Sequence, residues 1–281
     1  MLVLFFLCIA TFMGSTSPMN SVQVFNYPVV LMHGVLADKD NLDGLKVMLE
    51  LNFNIKVYNL EIGNGVETSI YTSMDKQLDM LCKLIYSMDE LKNGFNFIGM
   101  SQGGLLARGY VEYCNNYRVH NLITLVSPNA GIFSKNSMAS SFYEPSDQSE
   151  LSITNYWRDP YRYNIYLTNS TYLAQLNNDV SLKENQNNLD VIENFVMVWS
   201  ANDEVIEPPE SSKFSIYEVN NNELILIELR QSKQYNNDFL KLRTMDNEDR
   251  LHIYETDCLH AEHREPGCFQ NLKHIFEKFL L

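Results

Sequence analysis

Basic residues are scarce in this chain. Its 281 residues include 21 lysines and arginines against 35 aspartates and glutamates, for a formal net charge of −14. So few cations cannot assemble the basic face that phosphate binding requires, which argues against a nucleic-acid partner. Long apolar runs are equally rare. Beyond the first 18 residues nothing approaches the roughly 20 apolar residues of a membrane-spanning helix, so no transmembrane anchor is expected. Internal repeats, low-complexity tracts and linker-like stretches are also missing. A 45% hydrophobic and 20% charged composition is that of a folded globular chain.

The one strongly apolar stretch opens the sequence. "MLVLFFLCIATFMGSTSP" has an apolar core, Leu2 to Met13, too short to span a bilayer and followed by small residues. It reads as a secretory signal peptide of about residues 1–18, leaving a soluble domain over 19–281. Removal of the leader takes Cys8 and leaves Cys82, Cys114, Cys258 and Cys268. Four cysteines in a secreted chain allow three pairings, of which Cys82–Cys114 and Cys258–Cys268 are favoured. The first would close a loop that contains Ser101 and contribute roughly 3–4 kcal/mol through chain entropy. Asn169, in "NST", is a glycosylation sequon consistent with the same route.

Short, continuously apolar segments alternate with helical patterns. "PVVLM" (28–32), "IKVYNL" (55–60), "FNFIGM" (95–100), "LITLV" (122–126), "FVMVW" (195–199) and "RLHIYE" (250–255) read as strands, with "ELILIEL" (223–229) as a further candidate. Helical spacing covers 41–51, 73–91, 102 to about 113, and the C-terminal "NLKHIFEKFLL". Buried strands between amphipathic helices predict an α/β fold, a mostly parallel central sheet with helices on both faces. The rhythm lapses over about 128–194, a Tyr-, Asn- and Ser-rich stretch that we read as an insertion over the active-site edge of a single domain.

At residues 99–103 the sequence reads "GMSQG" between a strand and a helix. Gly-x-Ser-x-Gly at that junction is the nucleophile elbow of α/β-hydrolases, a turn so sharp that the serine needs small neighbours. Ser101 is therefore the candidate nucleophile, and the Gln102 N–H, at the helix start, a candidate oxyanion donor. A second donor is expected from the loop after the first strand, "HGVLAD", where the Val35 N–H is the candidate. Hydrolases of this fold run serine, acid, histidine along the chain. That order excludes His33 as base and leaves His260, with His263 as an alternative, in the loop after the last strand. The acid should follow a late strand. Asp203 of "WSANDEVIEPP" fits by position and length, with Glu204 and Glu207 read as solvated neighbours.

Taken together, "HGVLADKD", "YNLEIGNG", "GFNFIGMSQGG", "YWRDPYRYNIYLTNSTYLAQLNND", "KFSIYEV" and "FVMVWSANDEVIEP" resemble the corresponding segments of palmitoyl-protein thioesterases. The similarity runs from about residue 27 to the C-terminus, and "YWRDP…NSTYLAQLN" is its specific element. The segment after Pro128 and that around His260 depart from the family pattern. The resemblance implies an α/β-hydrolase fold with Ser101, Asp203 and His260 as triad and the amides of Val35 and Gln102 as oxyanion hole. It also implies the Cys82–Cys114 bridge, glycosylation at Asn169 and a lysosomal location.

The activity so implied is hydrolysis of long-chain fatty acyl thioesters on S-acylated proteins or peptides, or on acyl-CoA. It needs no cofactor and no metal, and a monomer is expected. The acyl chain needs an apolar groove, for which Tyr156, Trp157, Tyr166 and Leu173 of the insertion are candidates; packing the insertion onto the sheet is the competing role for these side chains. Competing functions are a lipase or carboxylesterase acting on oxygen esters, and a non-catalytic lipid-binding protein of the same fold.

Overall fold

The computed structural model describes residues 26–135, 141–180 and 189–281. The expected signal peptide lies outside the described residues. Six strands, β1 (Val29–Met32), β2 (Val57–Leu60), β3 (Phe95–Met100), β4 (Val119–Leu125), β5 (Asn194–Ser200) and β8 (Leu251–Thr256), form one sheet in the order β2-β1-β3-β4-β5-β8. Every pairing in it is parallel. All strand carboxyl ends therefore lie along one edge, where loops from separate parts of the sequence can meet. The remaining strands, β6 (Ile216–Asn220) and β7 (Glu223–Ile227), pair only with each other as an antiparallel hairpin. The 223–229 segment is thus a strand, but it stands outside the central sheet. β4 also begins earlier than its apolar run, so that His120 lies within it.

Side-chain alternation explains the layering. Val30, Met32, Phe95, Phe97, Leu122 and Met197 point to one face; Val29, Leu31, Ile98, Met100, Ile123 and Val198 point to the other. The four longest helices among the described residues divide accordingly. α2 (Met74–Tyr86) and α3 (Gln102–Gly109) cover the first face with Leu78, Leu81, Leu105 and Leu106. α1 (Asp43–Phe53) and α4 (Pro266–Leu280) cover the second with Leu45, Leu49, Phe269, Leu272 and Phe276. The result is a three-layer arrangement in which β1, β3 and β4 are buried along their whole length, as continuous apolar strands require.

The described residues of the 128–180 stretch pack on the α2/α3 side. Tyr156, Trp157, Tyr166 and Leu173 are all nearly or fully buried and belong to the same apolar cluster as α3. All four pack within that cluster, and a cavity of about 270 Å³ is lined by Arg158, Tyr163, Asp179, Tyr217 and others rather than by them. Arg108 of α3 bolts the insertion down. Fully buried, its guanidinium donates to Asn129 O (3.0 Å), to Asn177 Oδ1 (3.0 Å) and to Glu112 Oε1 (3.2 Å), and lies 4.7 Å over the Phe214 ring. An Arg108→Met chain keeps the volume but leaves those acceptors and the Glu112 carboxylate without their cation. We expect a loss of about 3–5 kcal/mol in urea unfolding. A change below about 1 kcal/mol, the range of exposed ion pairs, would contradict this role.

Two disulfides join Cys82 to Cys114, with Cα atoms 6.1 Å apart, and Cys258 to Cys268, at 6.0 Å. The first staples α2 to the π-type turn Tyr110–Cys114 that continues α3. The second closes a short loop holding both His260 and His263.

Candidate active site

Ser101 follows β3 directly and caps α3 with φ 55° and ψ −128°, a conformation that a residue with a Cβ adopts only when its surroundings force it. Two glycines do the forcing. A Cβ on Gly103 would run into the carbonyl oxygens of Met32 and His33, so only glycine lets the first turn of α3 pass beneath the end of β1. A Cβ on Gly34 would lie 2.9 Å from Ser101 Cβ and 3.3 Å from its Oγ. The 33–35 turn is thereby set against the serine. Val35 lies in this turn and Gln102 at the first position of α3; among the described residues neither amide donates to another backbone acceptor.

Asp203 lies three residues past β5 and His260 four past β8, on neighbouring strands. His260 Nδ1 is 3.0 and 2.9 Å from Asp203 Oδ1 and Oδ2. The carboxylate is itself fixed: Oδ1 accepts the amide hydrogens of Val205 and Ile206, each at 2.9 Å. Both side chains are buried. With Nδ1 held by Asp203, Nε2 is the nitrogen available as a base. Among the described residues Ser101 Oγ makes no hydrogen bond to His260.

The other histidines have different work. His263, fully buried, donates from Nδ1 to Leu259 O (3.0 Å) and accepts from the Thr256 hydroxyl at Nε2 (2.8 Å). Both ring nitrogens are occupied, so it supports the loop. His120 stacks on Tyr27 and reaches Glu193; His252 meets Asn194; His274 packs edge-on against Tyr254. Burial is the main cause that holds His263 below the usual imidazole range, against the opposing pull of the His260 and Leu259 carbonyls. A lowered folded pKa means that the neutral ring stabilises the fold fully above about pH 6.5 and less as pH falls through the folded value. The urea midpoint should fall on going from about pH 7 to about pH 5, and fall less in His263→Gln. An equal fall in both would contradict this.

Three contributors escaped the sequence reading. Glu204 is not merely solvated, because its Oε2 accepts the His260 backbone N–H at 2.9 Å across 56 residues. Tyr156 donates its hydroxyl to Gln102 Oε1 (3.1 Å), and Gln102 Nε2 in turn donates to Ser69 O (3.0 Å). Burial keeps that phenol well above its usual range and hence a neutral donor. Tyr156 thus fixes the side chain next to the elbow. Glu61, the third, holds His33. Its only sequence signal is its place just after the second strand; no local pattern pairs it with a residue 28 positions earlier.

A parallel sheet with helices on both faces and a strained serine between strand and helix defines an α/β-hydrolase. A solved monoacylglycerol lipase from Paleococcus ferrophilus shares this fold at a TM-score of 0.54 and 16% identity, covering 91% of this chain and 96% of that one. The chain belongs to the palmitoyl protein thioesterase family, whose model matches residues 28–260. Palmitoyl-protein thioesterase 3 of Dictyostelium discoideum is 39% identical over 248 residues, 84% of this chain and 86% of the relative. Lysosomal thioesterase PPT2-B of Xenopus laevis is 29% identical over 274 residues, 90% and 92% of the two chains.

Proposed function

We propose that this protein hydrolyses long-chain fatty acyl thioesters, palmitoyl foremost, carried on cysteine residues of proteins or on coenzyme A. The observation that carries the reading is the His260–Asp203 pair on the carboxyl edge that also bears the strained Ser101, in a chain of this family.

Ser101 attacks the thioester carbonyl while His260 Nε2 takes its proton and Asp203 keeps the ring in the Nδ1–H tautomer. The Ser101–His260 hydrogen bond forms as substrate draws the groups together, as such contacts often do. The Val35 and Gln102 amides receive the oxyanion; losing one such donor costs roughly 100–1,000-fold in rate. The leaving group is a thiolate, whose conjugate acid has a pKa of about 8.5, so it departs with less help than an alkoxide. The departing thiolate takes the proton from His260, and water then releases the fatty acid from the acyl-enzyme with the neutral His260 again as base. No step calls on a cofactor.

We take the protein further to be a glycosylated one-domain monomer of the secretory pathway, in the lysosome foremost and secreted as the alternative. Disulfides suit an oxidising compartment. Several relatives are named lysosomal thioesterases. Asn169 is exposed at the end of its helix, where a glycan could attach. The deciding comparison is a palmitoyl thioester against its oxygen-ester analogue, with wild type and Ser101→Ala. Faster turnover of the thioester, lost in the variant, is expected. Preference for the oxygen ester would make the protein a lipase or carboxylesterase, and turnover of neither would leave a lipid-binding protein.

A further inference from the structure

We propose that His33 and Glu61 form a second acid–imidazole pair that positions and polarises the Val35 oxyanion donor. The inference rests on the reading of Val35 given above.

The His33 ring is almost wholly buried at the end of β1. Its Nδ1 lies 2.9 Å from Gly34 O, and its Nε2 lies 3.0 Å from Glu61 Oε1. Gly34 O and the Val35 N–H belong to one planar trans peptide, so they point in opposite directions from the same rigid unit. A donor fixed on that oxygen therefore fixes where the N–H aims. It also draws electron density toward the oxygen, which makes the N–H a stronger donor, by about 10–30% in condensed-phase estimates. Gly34 O is an acceptor, so the hydrogen that bears on the Val35 amide is the one on Nδ1, while Glu61 Oε1 fixes the ring from its Nε2 side.

Glu61 does more than hold the ring. Its Oε2 accepts the Lys39 N–H at 2.9 Å, and its Oε1 also accepts the Ile62 N–H at 3.0 Å. One carboxylate thus grips the loop at both ends, through His33 where it starts and Lys39 where it finishes. Between them Leu36 is exposed and has φ 59°, a backbone state that a branched side chain adopts only under constraint. The loop is held in a strained shape, and Glu61 is what holds it. Asp203 orients the His260 base from one side of Ser101; His33 and Glu61 orient the anion hole from the other. Neither His33 nor Glu61 need touch the substrate, so both are positioning residues.

The test uses His33→Phe, which keeps ring volume without a donor, and Glu61→Gln, a milder change at a partly exposed carboxylate. Four quantities are read for each: kcat and KM on a palmitoyl thioester, the rate at which a fluorophosphonate modifies Ser101, and the thermal midpoint. We expect kcat and the phosphonylation rate to fall together by about 10–100-fold in His33→Phe and by less in Glu61→Gln, with KM little changed. Wild-type phosphonylation rates in both variants would overturn the proposal. So would losses confined to KM, or losses in Glu61→Gln that appear only where its thermal midpoint has collapsed. Phosphonylation needs no acyl substrate, so it judges the pair even if the thioester reading fails, a failure visible in the wild type alone.

Discussion

Ser101→Ala is expected to lower kcat for palmitoyl thioester hydrolysis by about 10⁶-fold while the fold stays intact. Alanine keeps the Cβ, so the strained backbone at φ 55° and the packing against Gly34 are unchanged. The Val35 and Gln102 amides proposed as oxyanion donors also remain, and with substrate binding they should leave a residual rate about 10³–10⁴-fold above water. Single-turnover kinetics at enzyme excess would measure this, with the thermal midpoint as control. A loss of only tenfold would mean that another group is the nucleophile.

The second large effect is expected at Asp203→Asn, about 10⁴-fold in kcat. The direction follows from the hydrogen bonds around the carboxylate. Asp203 Oδ1 accepts two backbone amides, from Val205 and Ile206, and only an oxygen can do that. In the variant the asparagine oxygen is held at that position, which turns its NH2 toward His260 Nδ1. The ring then has to accept at Nδ1 and carry its proton on Nε2, where it cannot take the proton of Ser101. Phosphonylation of Ser101 should slow in parallel. NMR of the imidazole nitrogens would check the tautomer directly, and an unchanged Nδ1–H resonance would contradict the argument.

Much of the fold and the core of the site could be read from the sequence, for a local reason. A buried parallel strand is a continuous apolar run, and an elbow is a five-residue pattern at its end; both are written in adjacent residues. Chain order then pointed to the loop holding His260 and His263 and to an acid after a late strand, and the contact of His260 with Asp203 picks the pair. What could not be read depends on contacts distant in sequence. Glu204 reaches His260 and Glu61 reaches His33 only after the sheet has aligned their strand ends. For Tyr156 the sequence left groove lining and core packing both open, because aromatic residues suit a fatty chain and a core alike. Its burial and its hydroxyl bond to Gln102 are contacts 54 residues apart that only tertiary packing could reveal. The 223–229 segment illustrates the same limit: its apolar run predicts a strand, but not that the partner would be 216–220 rather than the central sheet.

The account stands or falls on where the acyl group goes. Wild-type protein mixed with a palmitoyl thioester, quenched in acid within one turnover and digested, should yield a palmitoyl ester on the peptide containing Ser101, absent from Ser101→Ala. A palmitoyl group on any other residue, or hydrolysis at the wild-type rate by the alanine chain, would contradict it.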